Sequence, residues 1–216
     1  ALIVTNLSAD EMFQAVDPKD ATLVKTDSSK EFCNVCGMHL TKFYKTSHAT
    51  EFKNGHKEQY CSLHCQAQIE EDHADKIKNI QVVDTNSLKF IDAKNAIYVV
   101  GSSKPGTMTP VSKYAFSTKE EAVKFQKEFG GEIHTFDESL DMAKKALSKE
   151  NNAIDEKRVP MAIKGKKAFE TMCDTKQIKD FNSVGEAKQY LIDNNVCKNL
   201  NPQMMQAVAI YLYNPA

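Results

Sequence analysis

Short blocks of apolar and β-branched positions, separated by turn residues, predict a mixed fold at the start of this chain. From Thr41 to Phe52 such residues are frequent (Thr41, Phe43, Tyr44, Thr46, Thr50, Phe52), and Asn54-Gly55 follows, then Lys57 to Tyr60. A strand, an Asn-Gly turn and a returning strand is the plain reading. Ser62 is placed to cap a helix running to about residue 75, with Leu63, Ala67 and Ile69 facing inward. Upstream, residues 10–16 fit a helical turn or two, residues 21–25 a short strand, and Ser28-Ser29-Lys30 a turn.

A second unit has a similar order. Ile80–Val83 and Ala96–Val100 read as strands, and Gly101 to Pro110 as a loop rich in Gly, Pro and Ser. Ser117 begins a helix, with Glu120 at capping-box spacing, and Gly130-Gly131 ends it after Phe129. Glu132 to Phe136 is then a strand and Ser139 to Lys149 a helix. Residues 151–158 are polar and irregular and read as a linker. Beyond Pro160 only helical patterns remain: Ile163–Met172, Ser183–Asn194 and Pro202–Tyr213. Ser183 with Glu186, and Asn201 with Pro202 in the first helical position, are proper starts. The expected fold is α+β. It consists of two tandem ββαβ-like units in a domain over 1–150 (halves at about 10–78 and 79–149), then a small all-α domain over 151–216.

Charge narrows the function. Lys and Arg total 28 against 29 Asp and Glu, a formal net charge of −1, which gives no support for binding nucleic acid or an acidic membrane. The longest apolar run, Ala96–Val100, is far short of the roughly 18–20 residues that span a bilayer, so no transmembrane segment is expected. Ala1-Leu-Ile-Val lacks the basic start and the length of a signal peptide, and no cysteine stands near Ala1 to carry a lipid; the reading is of a mature or trimmed chain. No Ser/His/Asp set, phosphate loop or HExxH motif points to a hydrolase or an NTPase, and no enzyme activity is expected.

The chemistry is concentrated in two cysteine clusters, Cys33-Asn-Val-Cys36-Gly-Met38 and Cys61-Ser-Leu-His-Cys65. Thiolates are soft donors that prefer copper(I), zinc or iron–sulfur clusters. Two intervening residues let one turn present Cys33 and Cys36 to the same ion. Cys61 and Cys65, four apart, share one face of a helix start, where the dipole favours thiolate. Zinc sites rarely use a thioether, whereas copper(I) accepts one readily. Met38 lies within reach of an ion held by Cys36, and Met108 could approach it if the two units pack face to face. Core filling is the plain alternative for both methionines. The cysteines also fit disulfides, a closed structural zinc site, or a redox-active Cys33/Cys36 pair. Against the last, Gly37-Met38 and the β-rich stretch beyond do not continue as a helix. Five of the six histidines fall at residues 39–73; most are expected on the surface, with His64, between two cysteines, the best candidate for a role.

Together with Val99-Val-Gly-Ser102, Pro105-Gly-Thr-Met108, Ala115-Phe116 and Gly130-Gly131, these clusters resemble the NosL-type copper-binding accessory proteins of nitrous oxide reductase, over roughly residues 10–145. The resemblance implies a periplasmic copper(I) metallochaperone with two similar αβ halves, passing copper to a copper-accepting reductase or its assembly machinery. The family's Cys-Gly-Met motif maps onto Cys36, Gly37 and Met38, and its loop methionine onto Met108. Many members have a single cysteine there, so Cys33, Cys61 and Cys65 are additional. Low coordination by Cys36, Met38 and neighbouring sulfurs would leave an open edge for an incoming acceptor ligand. The C-terminal segment resembles a small cytochrome c, in Gly165 to Cys173 and Cys197 to Leu212. Asp174-Thr-Lys-Gln177 follows Cys173 without a second cysteine or a histidine, so no haem is expected. That likeness implies a haem-less relic with a Cys173–Cys197 disulfide; two buried free thiols are the alternative.

Overall fold

The computed structural model describes residues 12–176 and 178–213. The Asn54-Gly55 turn joins β1 (His48–Phe52) to β2 (Lys57–Tyr60), closed by the Phe52 N–H donating to the His56 carbonyl at 2.9 Å. Ser62 caps α1 (Leu63–His73) by accepting from the Cys65 N–H. A single 3-10 turn, Ala74–Lys76, then returns the chain into β3 (Ile77–Val83) beside β1. With β4 (Phe90–Asp92) this gives an antiparallel sheet in the order β2-β1-β3-β4. The strand expected to open the second half therefore belongs to the first sheet, because the connection from α1 is too short to carry it elsewhere.

The second sheet is built from β5 (Ile97–Val100), β6 (Lys113–Phe116) and β7 (Glu132–Thr135), antiparallel in the order β6-β5-β7, with α2 (Lys119–Phe129) between β6 and β7. The cap of α2 is Thr118, one residue later than the sequence suggests. Asp84 and Ala115 join the two sheets through a parallel bridge, with the Thr85 N–H donating to the Ala115 carbonyl at 2.8 Å. Two antiparallel sheets with helices, followed by a helical C-terminal region, make the α+β class that the pattern predicts.

Two expectations in the first half are corrected. Residues 41–47 are turns and a 3-10 helix (Tyr44–Thr46), because their backbone N–H groups close turns (Phe43 on Leu40, Ser47 on Tyr44) or bond Gln14 (Lys45) instead of a neighbouring strand. Residues 21–25 form no strand: the Thr22 N–H goes to the Tyr44 hydroxyl and the Val24 N–H to the Gln59 side chain, so no ladder is left to make. Of the helical stretch expected at 10–16, residues 10 and 11 lie outside the described residues, and the rest is one turn with Ala15 N–H on the Met12 carbonyl.

The expected linker at 151–158 is the middle of α3 (Phe136–Met172), a 37-residue helix that also contains Pro160. Its start is set by a capping box between Thr135 and Glu138. Its first half buries Phe136, Leu140, Ala143 and Leu147 against Leu63, Val82 and Tyr98, a core shared by both sheets. Its last turns bury Ala168 and Phe169 against α4 (Val184–Asp193) and α5 (Pro202–Tyr213). Between these anchored ends the polar residues are simply the solvent face of a continuous helix. Cys173 and Cys197 are joined by a disulfide that closes the loop around α4.

Candidate metal centre

Four sulfurs meet where the first sheet ends. Phe32 and His39 pair as an isolated antiparallel bridge, and the Cys33 N–H donates to the Met38 carbonyl at 2.9 Å, so residues 33–38 form a tight hairpin turn. Gly37 closes it with φ of 73°, a conformation that costs other residues roughly 1–2 kcal/mol. Asn34 locks the turn to β2: its N–H donates to the Gln59 carbonyl, and its side-chain oxygen accepts from the Gln59 N–H. Cys61 follows β2 directly, and Cys65 lies in the first turn of α1.

The Cys33, Cys36, Cys61 and Cys65 sulfurs all lie within 4.8 Å of one another. Cys36 and Cys61 are 3.4 Å apart, and Cys61 and Cys65 3.9 Å. An ion held ~2.3 Å from four tetrahedral sulfurs requires edges of about 3.8 Å, so the cluster is close to the size one such ion needs. None of the four is more than 3% exposed, and all four are free thiols. The open edge expected from the sequence is therefore not present; Tyr60, Leu40, Val35, Phe43 and Ile69 wall the sulfurs in.

Met38 and Met108 pack against the same cluster. Met108 arrives on the long loop before β6 and has φ of 67°. The loop is clamped by Gln14, which donates to the Pro105 and Gly106 carbonyls, and by the Tyr114 hydroxyl on Pro105. The neighbouring Thr107 hydroxyl is 2.8 Å from that of Thr46, which bonds the Cys61 carbonyl at 2.8 Å.

Burial pushes the Cys33 thiol up, but donation from the Cys36, Cys61 and Cys65 thiols onto its sulfur outweighs this and holds it well below the ordinary value. Cys61 is pushed well above that value by burial, and Cys65 by its bond to Cys33. Of the histidines, His64 is buried and its Nδ1 lies 2.7 Å from Glu150, while His48 is buried and neutral, its pKa brought down to about 3 by burial. All six are buried or half-buried, contrary to the surface placement expected.

The NosL family model matches residues 24–146, more than half of the chain. The chain belongs to the NosL family. NosL proteins are accessory proteins, not enzymes. Among solved structures, the chain is similar to that of the copper chaperone NosL from Shewanella denitrificans, with 27% identity over 56% of this chain and 96% of that one, at a TM-score of 0.45. No curated protein matches it. The NosL match contains all four clustered cysteines, Met38 and Met108, and ends before α4 and α5.

Sequence reasoning missed a set of residues beyond that match. The Lys188 ammonium donates to the Gly37 carbonyl at 3.2 Å and to the Gln206 side-chain oxygen at 2.8 Å, and it lies 4.5 Å from the Phe32 ring centre. The Gln206 amide donates to the Cys36 carbonyl at 2.8 Å. Burial brings the Lys188 pKa down to about 8 against the opposing pull of Cys36. The turn residues they bond are more than 150 positions away in sequence, and no local pattern announces the contacts. Among the described residues, no helix is long and apolar enough to cross a membrane.

Proposed function

We propose that this NosL protein binds copper(I) at Cys33, Cys36, Cys61 and Cys65, with Met38 and Met108 as adjoining thioether donors. It would pass the ion to a copper-accepting partner of the nitrous oxide reductase type in the periplasm. The observation that carries the reading is the convergence of four buried sulfurs inside the NosL segment. Copper(I) is the soft cargo that thiolates and thioethers select, and neutral methionine sulfur can enter as a thiolate leaves. The ion would move by exchange of sulfur ligands, one at a time, between this cluster and the acceptor.

The test is anaerobic copper(I) titration against a competing chelator. Wild-type protein is expected to hold copper(I) against the competitor, with Cys36→Ser losing most of that affinity and Met38→Leu part of it. Weak binding indifferent to both changes would sink the reading.

A second reading, a structural zinc site, is favoured by one feature: the sulfurs are closed to solvent and sized for a tetrahedral ion. Elemental analysis of protein purified without added metal separates the two. One tightly held zinc that copper(I) does not displace supports the structural role.

A further inference from the structure

We propose that the C-terminal helices are part of the cysteine site: α4 covers the 33–38 turn, Gln206 of α5 is the positioning residue that holds it closed, and cluster opening is set by their docking. The inference rests on the reading of the four cysteines as a metal site only for its consequence in metal release; the cover itself is a statement about the thiols.

The contact is too close to be incidental. A Cβ built on Gly185, in α4, would stand 2.7 Å from the Cys33 carbonyl oxygen, a backbone atom that cannot swing aside. A Cβ built on Gly37 would stand 2.6 Å from Val184 Cγ1. Glycine at 37 and glycine at 185 thus let the turn and the helix approach. Two hydrogen bonds complete the seam, from Gln206 to the Cys36 carbonyl and from Lys188 to the Gly37 carbonyl. Every sulfur behind this seam is buried, so a ligand that approaches from this side must first lift α4 or α5. The helices belong to the region outside the NosL match, so the cover is an addition of this chain to the family's site.

Gly185→Ala is the sharpest probe. Gly185 lies in a helix with an ordinary backbone angle, where alanine is intrinsically favoured; the Cys33 carbonyl, with Ser29 Cβ 3.3 Å away, opposes it. Gln206→Met removes the bond to Cys36 and one acceptor of Lys188 without adding charge. Leu212→Ala, farther along α5 and half-buried against the bundle core, is the control for general loosening.

The experiment measures the rate at which iodoacetamide alkylates the four thiols in metal-free, full-length protein held anaerobically. Local opening limits the reaction of buried thiols. Losing the bond to Cys36, and with it the Lys188 contact, is expected to speed alkylation at least about tenfold in Gln206→Met, and Gly185→Ala should be of similar size or larger. Leu212→Ala should stay within about twofold of wild type. A second arm follows copper(I) loss to a chelator, where the same two variants should release faster and shift the copper–sulfur charge-transfer absorption.

Wild-type alkylation rates in Gly185→Ala and Gln206→Met would overturn the cover, whether or not copper binds. Equal acceleration by Leu212→Ala would overturn the positioning role of Gln206. Failure of wild-type protein to bind copper(I), with the alkylation pattern as expected, would sink the proposed function and leave the cover standing.

Discussion

Thr46→Val should loosen the Met108 loop from the cysteine cluster at a cost that the hydrogen bonds define. Thr46 is 3% exposed, and its hydroxyl lies 2.8 Å from both the Cys61 carbonyl and the Thr107 hydroxyl. A hydroxyl has one proton. The Cys61 carbonyl at 2.8 Å and the Phe43 carbonyl at 3.2 Å can only accept, so the Thr46 proton goes to them, chiefly to Cys61, and Thr107 must donate to Thr46. Valine fills the same volume but leaves the Cys61 oxygen and the Thr107 hydroxyl without these partners. Each such loss costs about 1–1.5 kcal/mol, so the variant should be destabilised by about 2–3 kcal/mol. For a chain of this length that is a melting temperature lower by roughly 5–10 °C. Thr107→Val should cost only about 1 kcal/mol, because it removes one bond and leaves the Thr46–Cys61 link intact. Urea unfolding of wild type, both single variants and the double variant completes the cycle. The double variant should be no worse than Thr46→Val alone by more than about 0.5 kcal/mol, because both changes break the same Thr46–Thr107 bond. Simple additivity, or a Thr46→Val cost under about 0.5 kcal/mol, would refute the proposed order of donors.

Three further outcomes are expected. Replacing Cys173 and Cys197 by alanine removes a cross-link spanning 24 residues, and loop-closure entropy sets the loss at about 3–4 kcal/mol in denaturant titrations under non-reducing conditions. His48 is held neutral by burial, with a pKa of about 3 against an ordinary value of 6.5. The unfolded chain binds the extra proton between those values, so stability is full above about pH 6.5 and falls by roughly 1 kcal/mol per pH unit below it; His48→Gln should flatten that slope in acid unfolding curves. Asn152→Pro falls at an exposed position inside α3 and should cost ~3 kcal/mol, whereas a linker would accept proline with little loss.

Legibility followed the range of the interactions. The cysteine turn and the capped start of α1 are local, so the spacing of Cys33 and Cys36, Ser62 and Cys65 exposes them. The approach of Met108 is legible only as a condition on how the units pack, since its loop is held by contacts of Thr107 with Thr46 and of Pro105 and Gly106 with Gln14. Strands β4 and β6 are three and four residues long, too short to show a period. The middle of α3 misleads for a physical reason: a helix anchored at both ends needs no apolar face between them, and composition alone cannot tell that solvent face from a linker. Lys188, Gln206 and Gly185 were invisible because their partners are non-local and their residue types carry no motif.

The charges around the cluster bear on which ion it suits. Two lysines are buried beside the 33–38 turn. Lys25 lies 3.6 Å from Asp27 and also faces Cys33. Lys188 donates to two uncharged acceptors, and its charge faces Cys36. A buried site is costly when net charge is left over. A divalent ion on four thiolates carries −2, and Lys188 offsets only half of it. A monovalent ion on two thiolates, completed by thiols or by the thioethers of Met38 and Met108, carries −1 and is balanced by Lys188 alone. Neutral sulfur donors are therefore what a monovalent ion needs in this surrounding, and the two methionines packed against the cysteines supply them without adding charge. In the copper(I) proposal the methionines thus complete the coordination at no cost in charge. It also gives the C-terminal helices a second contribution at the site, since the compensating cation is theirs.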